Sequence, residues 1–399
     1  MRLLHIIASM DPVSGGPSQG IRTLNKAMEN MGVTREVVCL DPPDSTYLGI
    51  DEFKIHAIGP AKGVWNYSSN LTKWLTINAL KFDVLIINGL WLYPSYATWK
   101  VINKFKKKSQ GAKLPRILVM SHGMLDPYFQ RAKGRKLKAV RNWLYWKLIE
   151  NRVVNDADGL LFTCETELLL ARQTFSPYRP KKEYNVGYGI APPPPYDSRM
   201  VAAFKEHCHG INDSPYLLFL SRIHPKKGTD LLIKAYTILF ESTKPAGVQI
   251  PKLVIAGPGI DSDFGKMLLK ELSRSTEIKD RIIFPGMLTG DIKWGAFYGC
   301  EAFILPSHQE NFGIAVVEAL SCSKAVLITN QVNNWREIET SGGGIVATDD
   351  LLGVKNMLSQ WLTLSSEEKI QMGKKALAAY QNQFAISKIA GNFLAVFND

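Results

Sequence analysis

Nowhere does the sequence hold an unbroken apolar run of about 18 residues, the length a membrane-spanning helix needs. The longest candidate, residues 84–99, is interrupted by Asn88, Gly89, Pro94 and Ser95, which excludes a spanning helix. Cysteine is scarce. The five present (Cys39, Cys164, Cys208, Cys300 and Cys322) are scattered, odd in number and without a CxxC pair. That excludes a disulfide scaffold and points to free thiols in a reducing cytoplasm. Glycine and proline, 31 and 21 of 399 residues, stand at ordinary levels, so collagen-like and low-complexity chains are excluded too. Disorder is incompatible with 46% apolar residues. What remains is a soluble globular chain, and at about 100–200 residues per domain its length implies two domains, each with its own core.

The opening residues, Arg2 and then an apolar run over 3–7, superficially resemble a signal peptide. Ser9, Asp11 and Pro12 arrive before a longer apolar segment could form, so a first buried β-strand is expected instead. His207, Cys208 and His209 cluster, but no further ligand group lies near in sequence, and they read as a polar loop.

The net charge of +12 is unevenly spread. Residues 1–200 carry 28 Lys and Arg against 16 Asp and Glu, whereas residues 201–399 carry 20 of each. Within the first half, residues 101–150 alone hold 13 basic and 2 acidic residues. One block of one domain therefore holds the excess. It is expected to face an anionic membrane or a lipid-linked acceptor, with Arg131, Lys133, Arg135, Lys136 and Lys138 as main contacts; a solvated helix face is the plain alternative.

Short apolar runs alternate with amphipathic stretches throughout, the pattern of βαβ units and parallel sheets. Strands are predicted over 3–9, 35–40, 84–88, 116–121, 159–163 and 184–186, with helices over 18–31, 94–107 and 136–154. The second half repeats the rhythm, with strands over 216–221, 252–256, 281–284, 302–305, 325–329 and 344–346. Its helices are predicted over 229–240, 264–273, 314–321 and 350–362. Between the halves, Ala191-Pro-Pro-Pro-Pro-Tyr196 can continue neither a helix nor a central strand. The expected division is thus 1–195 and 196–380, with 191–196 as linker. Two doubly wound, Rossmann-like α/β domains would then face each other across a cleft. The last stretch, 365–397, is helical in pattern throughout and has no strand to serve; its end, 381–399, shows an apolar stripe at Ile386, Ile389, Phe393 and Val396 and is expected to pack back on the first domain.

Two motifs carry chemistry. Ser221-Arg-Ile-His-Pro-Lys-Lys-Gly228 follows a strand and precedes a helix, so that Arg222, Lys227 and the helix N-terminus could converge on a diphosphate. An ordinary basic turn is the alternative. In Pro306-Ser-His-Gln-Glu-Asn-Phe-Gly-Ile-Ala-Val-Val-Glu-Ala-Leu320, Glu310 lies just past a strand, and Asn311, Phe312 and Gly313 turn into a helix that offers backbone amides to an anion. Glu318 sits one turn into that helix, where a carboxylate can accept from ribose hydroxyls.

On these motifs, in this order, the sequence resembles the retaining nucleotide-sugar glycosyltransferases of family 4, which have the GT-B fold. The resemblance covers nearly the whole chain. Further matches are Val254-Ile-Ala-Gly-Pro-Gly259, Ile283-Phe-Pro-Gly286 and Trp335-Arg-Glu-Ile338. Looser ones in the first half are Gly15-Gly-Pro-Ser18, Asn88-Gly-Leu-Trp91, Ser121-His-Gly-Met124 and Gly187-Tyr-Gly-Ile190. The resemblance implies transfer of a hexose from a nucleoside diphosphate to a hydroxyl of a saccharide or glycolipid, with retention. Arg222 and Lys227 would neutralise the diphosphate, and Glu310 would contact the sugar hydroxyls. The Asn311–Gly313 turn with Ile314 would meet sugar and phosphate, and Glu318 the ribose. Gly15 and Gly16 would let the first loop approach the diphosphate, and His122 would lie near the sugar and the acceptor hydroxyl. A structural role for His122, capping the turn that follows, is the alternative. No cofactor and no metal are implied; the setting implied is bacterial polysaccharide or glycan synthesis, cytoplasmic and peripheral at the inner membrane face.

The sequence departs from the family pattern at Ser323-Lys-Ala-Val326, where Gly-x-Pro-Val is usual, and at Asn333-Asn334, where Gly-Gly is usual. Asparagine tolerates left-handed backbone, so the turn at 333–334 is expected to survive that way. Asp156-Ala-Asp158 and Asp261-Ser-Asp263 have the spacing of a metal-binding pair; the first precedes a strand and the second caps a helix, so both read as structural. A sugar phosphorylase or nucleotide-sugar epimerase on the same fold is the competing reading. Nucleic-acid binding, the competitor from another class, finds no recognisable motif.

Overall fold

The apolar runs fold as parallel strands. In the first half β1 (Arg2–Ile6), β2 (Thr34–Cys39), β3 (Lys54–Ala57), β4 (Val84–Asn88), β5 (Arg116–Met120), β6 (Gly159–Phe162) and β7 (Glu183–Asn185) form one sheet in the order β3-β2-β1-β4-β5-β6-β7. In the second half β8 (Tyr216–Leu220), β9 (Lys252–Ala256), β10 (Ile282–Gly286), β11 (Ala302–Leu305), β12 (Ala325–Thr329) and β13 (Gly344–Ala347) form another, ordered β10-β9-β8-β11-β12-β13. The central strands are apolar on both faces because helices cover both. Leu3, Leu4 and Ile6 of β1, Leu85, Ile86 and Ile87 of β4, and Val254, Ile255 and Ala256 of β9 are completely buried.

This computed structural model describes residues 1–108, 113–131, 135–273 and 276–399. It separates into two units, Met1–Gly189 with Ile386–Asp399, and Ile190–Ala385. The changeover falls at 189/190 and 385/386, where the sequence pattern places it at 195/196 and 380/381. The proline run packs inside the second unit: Tyr298 Oη donates to Pro194 O, and the Tyr196 and Tyr298 rings meet edge to face at 5.4 Å. At the other changeover, Ile190 N donates to Phe384 O at 3.1 Å and Tyr380 Oη to Ile190 O at 3.3 Å.

The final helix, Ile386–Asn398, belongs to the first unit. Its stripe at Ile389, Ala390, Phe393, Val396 and Phe397 is buried, partly against the Gly16–Ala27 helix. Arg116 Nη1 closes its end by donating to Val396 O and Phe397 O at 2.8 and 3.1 Å. No described helix is long and apolar enough to cross a membrane.

β3 has no counterpart in the sequence pattern. It is an edge strand, paired only with β2, and none of Lys54, Ile55, His56 and Ala57 is fully buried. The helices Ser69–Asn78, Ser198–His207 and Gly290–Gly299 are also unanticipated. Gly290, Gly295 and Gly299 lower helix propensity in the last of these. Residues 136–154, expected as one helix, widen into a π turn at Trp146–Glu150 between Lys136–Tyr145 and Asn151–Asp156.

Candidate active site

The order of the second sheet reverses at β8, whose partners are β9 on one side and β11 on the other. Loops leaving two such neighbouring strands diverge and open a crevice at their carboxyl ends. Past β8 the chain stays extended, with Ser221 N donating to Ala256 O (3.0 Å) and Ile223 N to Pro258 O (2.8 Å). Arg222, between them, is exposed, and no partner for its guanidinium is found among the described residues. His224 then caps the single turn Pro225–Lys227, its Nδ1 accepting from Lys226 N at 3.1 Å. An accepting ring is neutral; burial first, then the charges of Arg222, Lys226 and Lys227, hold its pKa below the usual value.

Gly228 ends this turn at φ 67°, and a Cβ there would stand 2.0 Å from Pro306 O. The β8 loop therefore lies backbone to backbone on the β11 loop, and His308 N donates to Lys226 O across the same seam at 2.9 Å. The seam carries Lys227 onto Glu310. Lys227 is 8% exposed, and its Nζ is ion-paired with Glu310 Oε2.

After Glu310 the chain turns through Asn311 and Phe312 to Gly313, the N-cap of the Ile314–Ser321 helix. The first amides of that helix have no acceptor within it, so its end favours an anion. Phe312 is buried edge to face against Phe384, at 5.8 Å between ring centroids, so only its backbone serves the turn. Glu318 is bound by Lys293, with Nζ 2.8 Å from Oε1, and Lys293 itself lies 4.3 Å over the Trp294 ring.

The turn survives the Asn333-Asn334 departure by another route than expected. Asn334 has φ −90°, and Asn333 is likewise absent from the positive-φ residues. Their side chains act instead: Asn334, fully buried, donates Nδ2 to Phe312 O at 2.7 Å, and Asn333 Nδ2 reaches Asn311 Oδ1 at 3.4 Å. At the other departure, Ser323 is left-handed, at φ 59°, just past the glutamate helix.

In the first unit the sheet reverses at β1, flanked by β2 and β4. Gly15 adopts φ 87° and leads into the Gly16–Ala27 helix, while Gly16 O accepts from Tyr188 Oη at 2.8 Å. His122 stands just past β5 at φ 49°, followed by Gly123 at φ 77°. The buried Glu167 carboxylate holds this strained turn. One oxygen accepts from Ser121 Oγ (2.7 Å) and Gly123 N (2.6 Å), the other from Thr163 N and Oγ1 (2.8 and 2.5 Å). Asn88, at the end of β4, links two histidines: its Oδ1 lies 3.2 Å from His122 Nε2 and its Nδ2 3.2 Å from His5 Nδ1. Burial pushes the His122 pKa down to about 4; burial, then the nearby His122, pushes His5 down to about 3. Both rings are neutral near pH 7.

Sequence reasoning missed Glu167, Lys293 and His5, and gave Asn88 no role. The Asp156 and Asp158 carboxylates have other partners. Asp156 accepts from Trp99 Nε1 and Asp158 from Ile117 N, at 2.8 and 2.9 Å, and Asp158 also pairs with Lys181. In the other Asp-x-Asp pair, the middle residue caps the helix, Ser262 Oγ accepting from Gly265 N at 3.1 Å. His207 Nε2 meets Pro285 O at 3.1 Å. Among the described residues no three His, Cys, Asp or Glu side chains gather as metal ligands would.

Residues 204–376 match the family model of glycosyl transferases group 1, and residues 15–182 that of the glycosyl transferase 4-like domain. The D-inositol 3-phosphate glycosyltransferase of Salinispora arenicola is 27% identical over 182 residues, 45% of this chain and 41% of that protein. The serotype-specific mannosyltransferase WbdA of Escherichia coli is 29% identical over 147 residues, 36% of this chain and 17% of that protein. The matches thus span less than half of these curated relatives. Among solved structures, Anabaena HepE in complex with UDP and glucose superposes with TM-score 0.72 at 16% identity, covering 100% of this chain and 99% of that one. Sucrose-phosphate synthase of Thermosynechococcus elongatus gives 0.73 at 16%, covering 100% and 98%. These likenesses are of fold: two parallel α/β sheets in the GT-B arrangement.

Proposed function

The chain belongs to the family 4 glycosyltransferases of GT-B fold, and from that premise we propose that it transfers a hexose from a nucleoside diphosphate to a hydroxyl of a saccharide or lipid-linked acceptor, with retention. The bond between the anomeric carbon and the diphosphate breaks, a bond to the acceptor oxygen forms, and the acceptor's proton is released. Negative charge grows on the leaving diphosphate, so fixed positive charge must already stand there. Arg222, Lys227 and the helix start at Gly313–Ile314 supply it, with no metal or cofactor needed. The observation that carries the reading is the Lys227–Glu310 contact at the reversal of the second sheet.

That contact has two uses. It holds Lys227 where a diphosphate can reach it, and it fixes the Glu310 carboxylate for the hydroxyls of the transferred sugar. Diphosphate oxygens then compete with Glu310 for Nζ. Lys293 does the same for Glu318, which accepts from the ribose hydroxyls. In the first unit, taken by itself, Gly15 and Gly16 leave their loop open to a phosphate, and neutral His122 can take a hydrogen bond from a sugar hydroxyl. The UDP complex of the structural neighbour HepE supports a nucleotide donor. The basic block of residues 101–150 supports an acceptor carried at an anionic membrane surface, as in bacterial glycan synthesis at the inner face of the membrane.

Thermal stabilisation by a panel of nucleoside diphosphates and nucleotide sugars identifies the donor, since a ligand of the native state alone raises the melting temperature. Adding acceptors to the stabilising donor should then release nucleoside diphosphate without added phosphate. A product whose anomeric proton coupling shows inversion would sink retention, and a requirement for phosphate would turn the reading to a phosphorylase.

A further inference from the structure

The helix Lys136–Tyr145 and the π turn Trp146–Glu150 rest on the first unit along one side, where Tyr145 stacks on Trp65 at 4.7 Å and Arg141 lies 5.7 Å over the same ring. Asn142, Trp146 and Glu150, four residues apart, are 6%, 0% and 0% exposed. The opposite side is apolar. Leu137 is 88% exposed, Val140 57%, Leu144 48% and, in the turn, Leu148 67%. At 100° per residue the first three fall within an arc of about 60°. Single exposed leucines are common, but a contiguous stripe on an otherwise soluble-looking helix marks a surface that meets something apolar.

Charge flanks the stripe on both sides. Lys138 and Arg141 border one edge, Lys136 and Lys147 the other, where Trp143 is 51% exposed. Residues 127–149 contain seven Lys and Arg and no Asp or Glu; Lys133, among them, lies outside the described residues. A second copy of this face would bring like charges together, which disfavours self-association. A nucleic-acid backbone would satisfy the cations and leave the leucines in water. A layer with anionic headgroups over acyl chains satisfies both.

Resting on the anionic-surface reading above, we propose that this helix lies in the plane of an anionic lipid surface with Leu137, Val140, Leu144 and Leu148 inserted at the acyl boundary. Lys136, Lys138, Arg141 and Lys147 extend to the phosphates, and Trp143 sits at headgroup depth.

The test uses the full chain with phosphatidylcholine vesicles, with and without phosphatidylglycerol. The wild type should float with anionic vesicles and retain part of its binding when salt screens the charges. Leu137→Gln, Leu144→Gln and Leu148→Gln combined should weaken binding at least about tenfold. The melting temperature and the nucleotide-induced stabilisation should stay unchanged, since all three side chains face outward. Absence of wild-type binding at low salt would overturn both this proposal and the anionic-surface reading. Binding that the triple variant keeps within about twofold would overturn insertion alone and leave a purely electrostatic contact. A wild-type dimer dispersed by the triple variant, without vesicles, would also overturn it. As an independent readout, Val140→Cys can be labelled with an environment-sensitive fluorophore, because all five native cysteines are buried. A blue shift on anionic vesicles supports insertion; bound protein without a shift overturns it.

Discussion

Asn88 Oδ1 lies 3.2 Å from His122 Nε2, across the gap between the ends of β4 and β5. A carboxamide oxygen only accepts, so the imidazole proton is fixed on Nε2 and Nδ1 is left as an acceptor. The ring is thereby oriented as well as kept neutral.

Asn88→Asp would put a carboxylate at this position and raise the His122 pKa from about 4 by about one to three units. The acid limb of the pH–activity profile should move toward neutrality, and the His122 imidazole resonances should titrate with it. A profile that stays in place while the resonances move would mean that His122 protonation is irrelevant to transfer.

Acid should weaken the fold through the same histidines. Native His5 and His122 hold pKa values of about 3 and about 4, below the unfolded value of about 6.5. Below that unfolded value the unfolded chain binds protons that the native state refuses, so stability falls as pH drops, until each native pKa is reached. Above it neither group affects stability. Each histidine contributes a slope of about 1.4 kcal/mol per pH unit. His5→Asn should remove one proton's worth of that slope in urea unfolding between about pH 6 and 4; an unchanged slope would place the His5 pKa elsewhere.

The two lysine–glutamate pairs should separate kinetically. Lys227→Ala removes charge at the leaving diphosphate and should lower turnover by about 10²–10³, leaving donor affinity less changed. Lys293→Ala frees the Glu318 carboxylate and should chiefly raise the donor KM, because ribose contacts change little along the reaction. Activity should survive strong chelation in the wild type. Loss of activity on chelation, with Lys227→Ala unaffected, would restore a metal-dependent reading.

Ser323→Gly should stabilise the protein. A non-glycine residue at φ 59° bears a penalty of about 1–2 kcal/mol, part of which the extra freedom of an unfolded glycine cancels. A net gain of about 0.5–1 kcal/mol is expected in the urea midpoint. A loss would show that the serine side chain contributes more than its backbone costs.

The central strands were legible because both of their faces are buried, so β4, β9, β11 and β12 begin and end where the apolar runs do. β3 was not, because an edge strand with Lys54 and His56 in it has no pattern to show. At the site the contrast is one of distance along the chain. Lys227 and Glu310 were legible inside their own loops, where turn residues surround them. Asn88 and His122 are 34 residues apart, Glu167 stands 44 from Gly123, and Lys293 stands 25 from Glu318. Those pairings exist only once the sheets have ordered their strands, and no local spacing encodes them. At Asn334 the residue was noticed but its means was not: a side-chain hydrogen bond replaced the backbone freedom expected of it.

The seam at Gly228 sets a rule for how this site can diverge. With a carbonyl oxygen 2.0 Å from where a Cβ would be, Gly228 cannot gain a side chain, nor can either loop shift by a residue without losing the His308–Lys226 hydrogen bond. Under the proposed function, homologues that take other sugars would vary what hangs from the two loops while holding loop length constant. Donor preference in such a lineage would change by point substitution around Asn311 and Ile314, whereas insertions and deletions in the Ser221–Gly228 loop would be purged as misfolding.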